Sequence, residues 1–128
     1  MEKDLIIRQY KPEDNLGRLL IDEGHKDEYG YKMYETFVME NGSIAGFFTI
    51  KYEQELPSLQ HFILDKKYRN IENARNLIKG FKGVCRLKGY KNAIISVPEG
   101  YLTSLVVYYF RKEPYANKDG MNHFVVKI

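Results

Sequence analysis

Between Ile63 and Leu77 a short apolar segment, Ile63-Leu64, runs through the basic stretch Asp65-Lys66-Lys67-Tyr68-Arg69 into a helix. The chemistry such a junction offers is anion binding. Ala74, Leu77, Ile78, Phe81 and Cys85 recur at helical spacing, so one face of the helix is buried and its first turn must stand at the end of the preceding strand. The N–H groups of that turn lack intrahelical partners and sit at the positive end of the helix dipole. With Lys66, Lys67 and Arg69 beside them, they favour a bound pyrophosphate.

The run Tyr68 to Leu77 resembles the acyl-coenzyme A loop of the GNAT superfamily of N-acetyltransferases. That loop begins with Arg or Gln, continues through any two residues to a Gly, and closes after one more residue with Gly or Ala. Here it reads Arg69, Asn70, Ile71, Glu72, Asn73, Ala74, so its ends match and Glu72 replaces the central Gly that lets the backbone approach the diphosphate. Downstream, Tyr109-Phe110-Arg111-Lys112-Glu113-Pro114-Tyr115 is similar to the family's Phe-Tyr-Glu-Lys-any-Gly-Phe run. Phe110 falls on the family's proton-donating Tyr and Pro114 on its Gly, and a phenyl ring cannot donate a proton.

The resemblance implies an α+β fold with a GNAT-like mixed sheet, antiparallel in its N-terminal half, with a splayed parallel strand pair and helices on both faces. It also implies acetyl-CoA as co-substrate and acyl transfer to an amine acceptor, a small molecule or a protein. On that reading the backbone at Leu64 and the loop of Lys67, Tyr68, Arg69, Asn70, Ile71, Glu72, Asn73 and Ala74 hold the cofactor. Ser104 stands where relatives place a polar contact to the pantetheine arm, and a backbone N–H at or next to Leu64 receives the oxyanion. Tyr109 is the candidate proton donor to the departing thiolate, although one helical step from the family's position turns a side chain by about 100°. The competing reading is a catalytically degenerate binding protein that keeps the fold and acts through a protein or nucleic-acid partner.

Composition bounds these readings. A chain of 128 residues with 44% hydrophobic residues is one domain that can bury a core without metals or cross-links. A net charge of +3 is too mild for the cationic stripe of a dedicated nucleic-acid binder. Cys85, the one cysteine, lies on the apolar helix face and reads as core. No apolar run approaches the roughly 20 residues of a membrane span, and the N-terminus has no signal-peptide pattern, so the chain reads as cytoplasmic.

The supporting elements follow from spacing and turn chemistry. Residues 5–10 predict a first strand, and Pro12-Glu13-Asp14 marks the start of a helix that buries Leu16, Leu19 and Leu20. Residues 22–34 read as an irregular second helix or lid containing Tyr29, Tyr31, Met33 and Tyr34, a segment that in GNAT proteins borders the acceptor pocket. Asn41-Gly42, both tolerant of positive φ, joins two antiparallel strands at 36–40 and 43–52. A fourth strand at 58–64 follows Pro57, and Gly89 ends the long helix. Residues 93–97 read as a buried parallel strand, Leu102, Leu105, Val106 and Tyr109 as a short helix, and Asp119-Gly120 as the turn of a closing hairpin. Gly80 and Gly83 read as packing contacts inside the long helix. A homodimer is compatible with such a sheet, which pairs through edge strands or the C-terminal hairpin.

For a base, residues 58–64 offer Gln60 and His61 but no carboxylate, and Glu53 and Glu55 precede Pro57 on what reads as a solvent face. His25, His61 and His123 show no metal-ligand spacing, so no metal site is expected. The 11 tyrosines and 7 phenylalanines fall mostly at regular apolar positions and read as sheet faces and helix seams.

Overall fold

The computed structural model describes residues 4–53 and 55–128, without the side chains of Glu53 and Tyr101. The solvent-facing expectation for Glu53 therefore lies outside the described residues. Among the described residues seven strands are formed: β1 (Ile6–Gln9), β2 (Glu35–Glu40), β3 (Ile44–Glu53), β4 (Leu56–Leu64), β5 (Asn92–Pro98), β6 (Ala116–Lys118) and β7 (Met121–Lys127). They make one sheet in the order β1-β2-β3-β4-β5-β7-β6, antiparallel throughout except for the parallel pair β4 and β5. Alternation along the strands sorts side chains to two faces. Val38, Phe47 and Ile63 meet Leu16 and, from α1 (Gly17–Asp22), Leu19 and Leu20, whereas Phe37, Met39, Phe48 and Leu64 meet α2 (Ile71–Leu87) and α3 (Tyr101–Phe110). Helices thus cover both faces of a mixed α+β sheet, and none is long and apolar enough to cross a membrane among the described residues.

Residues Ala74, Leu77, Ile78, Phe81 and Cys85 are the buried stripe of α2, as their spacing requires. Asn70 caps the helix, its side chain accepting from the Asn73 N–H at 2.8 Å, while Asn73 Nδ2 donates to the Tyr68 carbonyl at 2.7 Å. At the other end Gly89, with φ 90°, closes a Schellman turn in which Tyr90 N–H donates to Cys85 and Gly89 N–H to Arg86. Gly80 is a packing contact, since a Cβ there would lie 2.1 Å from Ile7 Cδ1. Gly83 is not, because a Cβ there would meet nothing within 4 Å.

Several local expectations change on folding. The Pro12-Glu13-Asp14 segment forms a turn, and α1 begins only at Gly17, because the Asp14 carboxylate accepts from Arg8 at 2.8 and 2.9 Å and from the Lys11 N–H at 2.8 Å. Of residues 22–34, Asp22 ends α1 and the rest contain turns and one 3₁₀ turn at Gly30–Met33 rather than a second α-helix. At the first hairpin only Gly42 takes positive φ, because the loop spans three residues and carries a register shift at Met39/Glu40, whereas Asp119 and Gly120 both adopt it in the last hairpin. Strand β4 starts at Leu56, so Pro57 lies inside it, opposite Tyr52. Strand β5 is not uniformly buried. It alternates, with Ala93, Ile95 and Val97 inward, since its second neighbour β7 is antiparallel and partly open.

Two irregularities along β4 set where the sheet opens. Thr49 opposes His61 and Ile50 opposes Leu59, so Gln60 is the extra residue of a β-bulge. Past it β4 stays with β3 and leaves β5, whose registered partners in β4 are Ser58 and Leu59. The approach of β3 to the end of β4 requires a glycine, because a Cβ on Gly46 would stand 2.5 Å from the Ile63 carbonyl oxygen and 2.9 Å from Leu64 Cδ2. A backbone atom cannot step aside as a side-chain tip can. Gly46→Ala should therefore lower the unfolding free energy by about 2–3 kcal/mol, read as a fall in urea midpoint at constant m-value; an unchanged midpoint would show that the strands part without cost.

Candidate active site

The N-terminal turn of α2 and one side of α3 enclose a cleft of about 490 Å³, lined by Arg69, Asn70, Ile71, Ala74, Arg75, Ser104, Leu105 and Tyr108. Residues at positions 71, 74 and 75 share a helix face, as do 104, 105 and 108, so the two helices present complementary walls. The charged side chains in this lining are Arg69 and Arg75, and the Arg75 guanidinium lies 5.4 Å from the centre of the Tyr108 ring. Asn70 occupies the Asn73 N–H, which leaves the amides of Ile71 and Glu72 at the positive helix end.

At the floor of the strand divergence the backbone of Leu64 is turned outward from β3. Asp65 N–H donates to the Ala45 carbonyl at 2.8 Å, so the next pair, Gly46 with Leu64, is of the non-hydrogen-bonded kind and its amide groups face away from each other. The same alternation holds for Phe62 opposite Phe48. The Leu64 carbonyl accepts from Arg69 Nη2 at 3.1 Å. Arg69 also forms an ion pair with Glu23, which reaches it from the loop after α1.

A second cleft, of about 310 Å³, opens where β4 and β5 part, lined by Glu23, Gly24, His25, residues 60–63 of β4, residues 96–98 of β5, Leu102 and Met121. A small apolar void of about 10 Å³ shares Phe62 and Leu102 with this cleft and Leu105 with the first. Apolar side chains therefore stand between the two, and the Arg69–Glu23 pair joins their rims.

His61 is one of the polar side chains of the second cleft. Its backbone N–H donates to Thr49 Oγ1 at 2.9 Å, and the same hydroxyl lies 2.7 Å from its Nδ1. Thr49 is fully buried, and its hydroxyl proton has Nδ1 as the acceptor among the described residues, so the neutral ring carries its own proton on Nε2. Burial pushes the imidazole down to about 4, with the neighbouring His25 adding to the shift and Asp27 opposing it. His25 and Tyr34 pack on it, with ring centres at 5.6 and 5.8 Å. Ser96, on the opposite wall, is held by His123 Nδ1 at 2.7 Å.

The loop residues named from the sequence divide. Arg69, Asn70, Ile71, Ala74 and Ser104 line the first cleft, and the Leu64 backbone faces the divergence. Lys67 is exposed, and its N–H donates to Asp65. Tyr68 is half-buried against the core with its hydroxyl 3.5 Å from Asn41, Asn73 serves the helix cap, and Glu72 is exposed in the first turn outside the cleft lining. Tyr109 faces α2, its ring 5.4 Å from Lys82 Nζ and stacked edge-on to Phe110 at 5.0 Å, so it is Tyr108 that reaches the cleft. Of the tyrosine-rich segment, Tyr31 is core between Tyr10 and Phe47, and Tyr34 packs on His61. Arg75, Leu105 and Tyr108 were discoverable from helical spacing with Ile71 and Ser104; Glu23 and His25 had no such signal.

No family model and no curated protein matches the chain. Solved structures do. Diaminobutyrate acetyltransferase from Paenibacillus lautus, determined with L-2,4-diaminobutyric acid and coenzyme A, superposes with a TM-score of 0.75 at 15% identity, covering 98% of this chain and 95% of its own. The ribosomal-protein-S18-alanine N-acetyltransferase of Escherichia coli gives 0.74 at 15% identity, covering 98% and 94%. A GNAT family acetyltransferase from Elizabethkingia anophelis with acetyl-CoA bound gives 0.73 at 15% identity, covering 97% and 98%. With its strand order, its parted parallel pair and these superpositions along nearly its whole length, the chain has the GNAT acetyltransferase fold.

Proposed function

We propose that the chain is an acetyl-CoA-dependent N-acyltransferase. The observation that carries this reading is the pair of unlike clefts, one between α2 and α3 with two arginines at a helix start and one at the β4–β5 divergence with a carboxylate and a neutral imidazole, with apolar side chains between them. Acetyl-CoA, when bound, supplies an activated thioester. The residues present fit its diphosphate: the amides of Ile71 and Glu72 donate, Arg75 provides charge, and Ala74 leaves room for close approach. Ser104 and Leu105 border the route inward, and the outward-turned N–H of Leu64 or Phe62 is placed to receive negative charge developing on the acyl oxygen.

In the second cleft His61 acts as a fixed Nε2–H donor that orients the acceptor, since a ring neutral down to about pH 4 has little appetite for the proton of an amine. The attacking nitrogen passes its proton to solvent, and the thiolate, with a pKa near 8.5 for a simple thiol, leaves without a strong acid. Tyr109, packed against Lys82, supports no direct donor role in this arrangement.

Three outcomes are expected. Saturating acetyl-CoA should raise Tm by mass action, about 2.7 kcal/mol of stabilisation at 100 times Kd, and Arg75→Glu should weaken Kd at least tenfold, about 1.4 kcal/mol. A melting curve indifferent to millimolar acetyl-CoA and CoA removes the reading, and binding without transfer to any amine reduces it to a cofactor-binding protein. Tyr109→Phe should change turnover by less than about twofold, whereas a rate loss in the range of about 10²-fold would make that phenol the general acid.

The third outcome concerns pH. Between the unfolded value of about 6.5 and the folded value of about 4, the unfolded chain binds a proton that native His61 does not. Stability therefore rises with pH across that window and is lost on acidification through it. Urea midpoints at pH 7.5, 6 and 5 should fall less steeply in His61→Gln; an identical slope would show that the ring titrates normally.

A further inference from the structure

Charges in the lining of the two clefts have opposite sign. Among the described residues the first carries Arg69 and Arg75 and no acid, and the second carries Glu23 and no Lys or Arg. One member of each meets the other across the end of β4. Arg69, from the cofactor side, pairs with Glu23, from the acceptor side, and holds the Leu64 carbonyl at 3.1 Å with the same Nη2. Both side chains remain about one-third exposed, 31% for Arg69 and 32% for Glu23, so water and ligands reach the pair. An ion pair in that setting is weak, and either partner can exchange.

We infer that Glu23 is the acceptor-recognition residue, that it selects amines bearing a cationic ammonium group, and that the Glu23–Arg69 pair couples their binding to that of the cofactor. This rests on the acyltransferase reading. With both clefts empty each charge is the other's counter-ion. An ammonium group entering the second cleft takes the Glu23 carboxylate and releases the Arg69 guanidinium to the diphosphate in the first. A diphosphate entering first does the converse. Each ligand thereby removes the competitor of the other, and by linkage the two enhancement factors are equal. A surface pair bounds the size of the effect at about fivefold in affinity, the equivalent of about 1 kcal/mol. Neither ligand needs a change in the fold for this, only a rotation of two long side chains.

The test is calorimetric titration of CoA into wild type and Glu23→Gln at fixed ionic strength, with 1,4-diaminobutane or the uncharged 1,4-butanediol present. Glu23→Gln, a near-isosteric change at a partly exposed site, should bind CoA about three- to fivefold tighter than wild type in the diol, because Arg69 has lost its competitor. Wild type should tighten by a similar factor when the diamine replaces the diol, and the variant should not respond. Equal or weaker CoA affinity in Glu23→Gln overturns the proposal whatever amine is used, and so does a diamine effect that survives in the variant. If CoA binds with ordinary affinity and only these differences are missing, the coupling alone fails. If CoA binds neither protein, the acyltransferase reading fails with it.

Discussion

After Ser58 and Leu59 two strands that begin as parallel neighbours cease to share hydrogen bonds, and the rest of the molecule is arranged around that parting. Backbone amides buried without partners are costly, so a sheet opens in its middle only where something else can meet them. Here Gly46 lets β3 hold β4 from one side, β7 and α3 hold β5 from the other, and the Gln60 bulge sets where the two begin to diverge. Phe62, Leu102 and Leu105 fill the wedge with apolar surface, and residues 60–63 of β4 line the second cleft. The helix start, the imidazole and the carboxylate acquire their relation to one another from this geometry alone.

The electrostatics follow the same division. Placing the α2 N-terminus at the end of β4 gathers positive potential on one side, through Arg69, Arg75 and the helix dipole. The loop after α1, tied down through Tyr31 in the core, brings Glu23 and His25 to the other. Asp65, at the start of the connecting loop, keeps its carboxyl below the usual range although burial works against it, because Arg18 and the Lys67 N–H both donate to it. That charge offsets some of the loop's basicity and pins it to α1.

What could be read from the sequence was what short-range spacing determines. The stripe Ala74, Leu77, Ile78, Phe81 and Cys85, the stop at Gly89 and the two hairpin turns express periods and φ preferences carried within a few residues. The basic strand-to-helix junction was legible for the same reason, being local to residues 63–77. The other half of the site was not. Glu23 and Arg69 stand 46 positions apart, and His61 meets His25 through packing that no local period encodes. The error at Asp14 has a like cause: Arg8 reaches it across the turn and converts a helix-start residue into a turn clamp. Tyr109 and Tyr108 differ by one step on a helix, a difference that only the position of α2 resolves.

The sheet ends on one side in β1, four residues long, and on the other in β6, three residues long. At about 3.3–3.4 Å per residue, neither of these two strands offers more than roughly 14 Å of open backbone. Among the five longer strands between them, β7 runs past β6, and its residues 124–127 have no registered partner on that side among the described residues. A contact made through β1 or β6 thus has very few rungs to build on and must draw its strength from side chains, which leaves those two margins poorly suited to propagating the sheet from molecule to molecule.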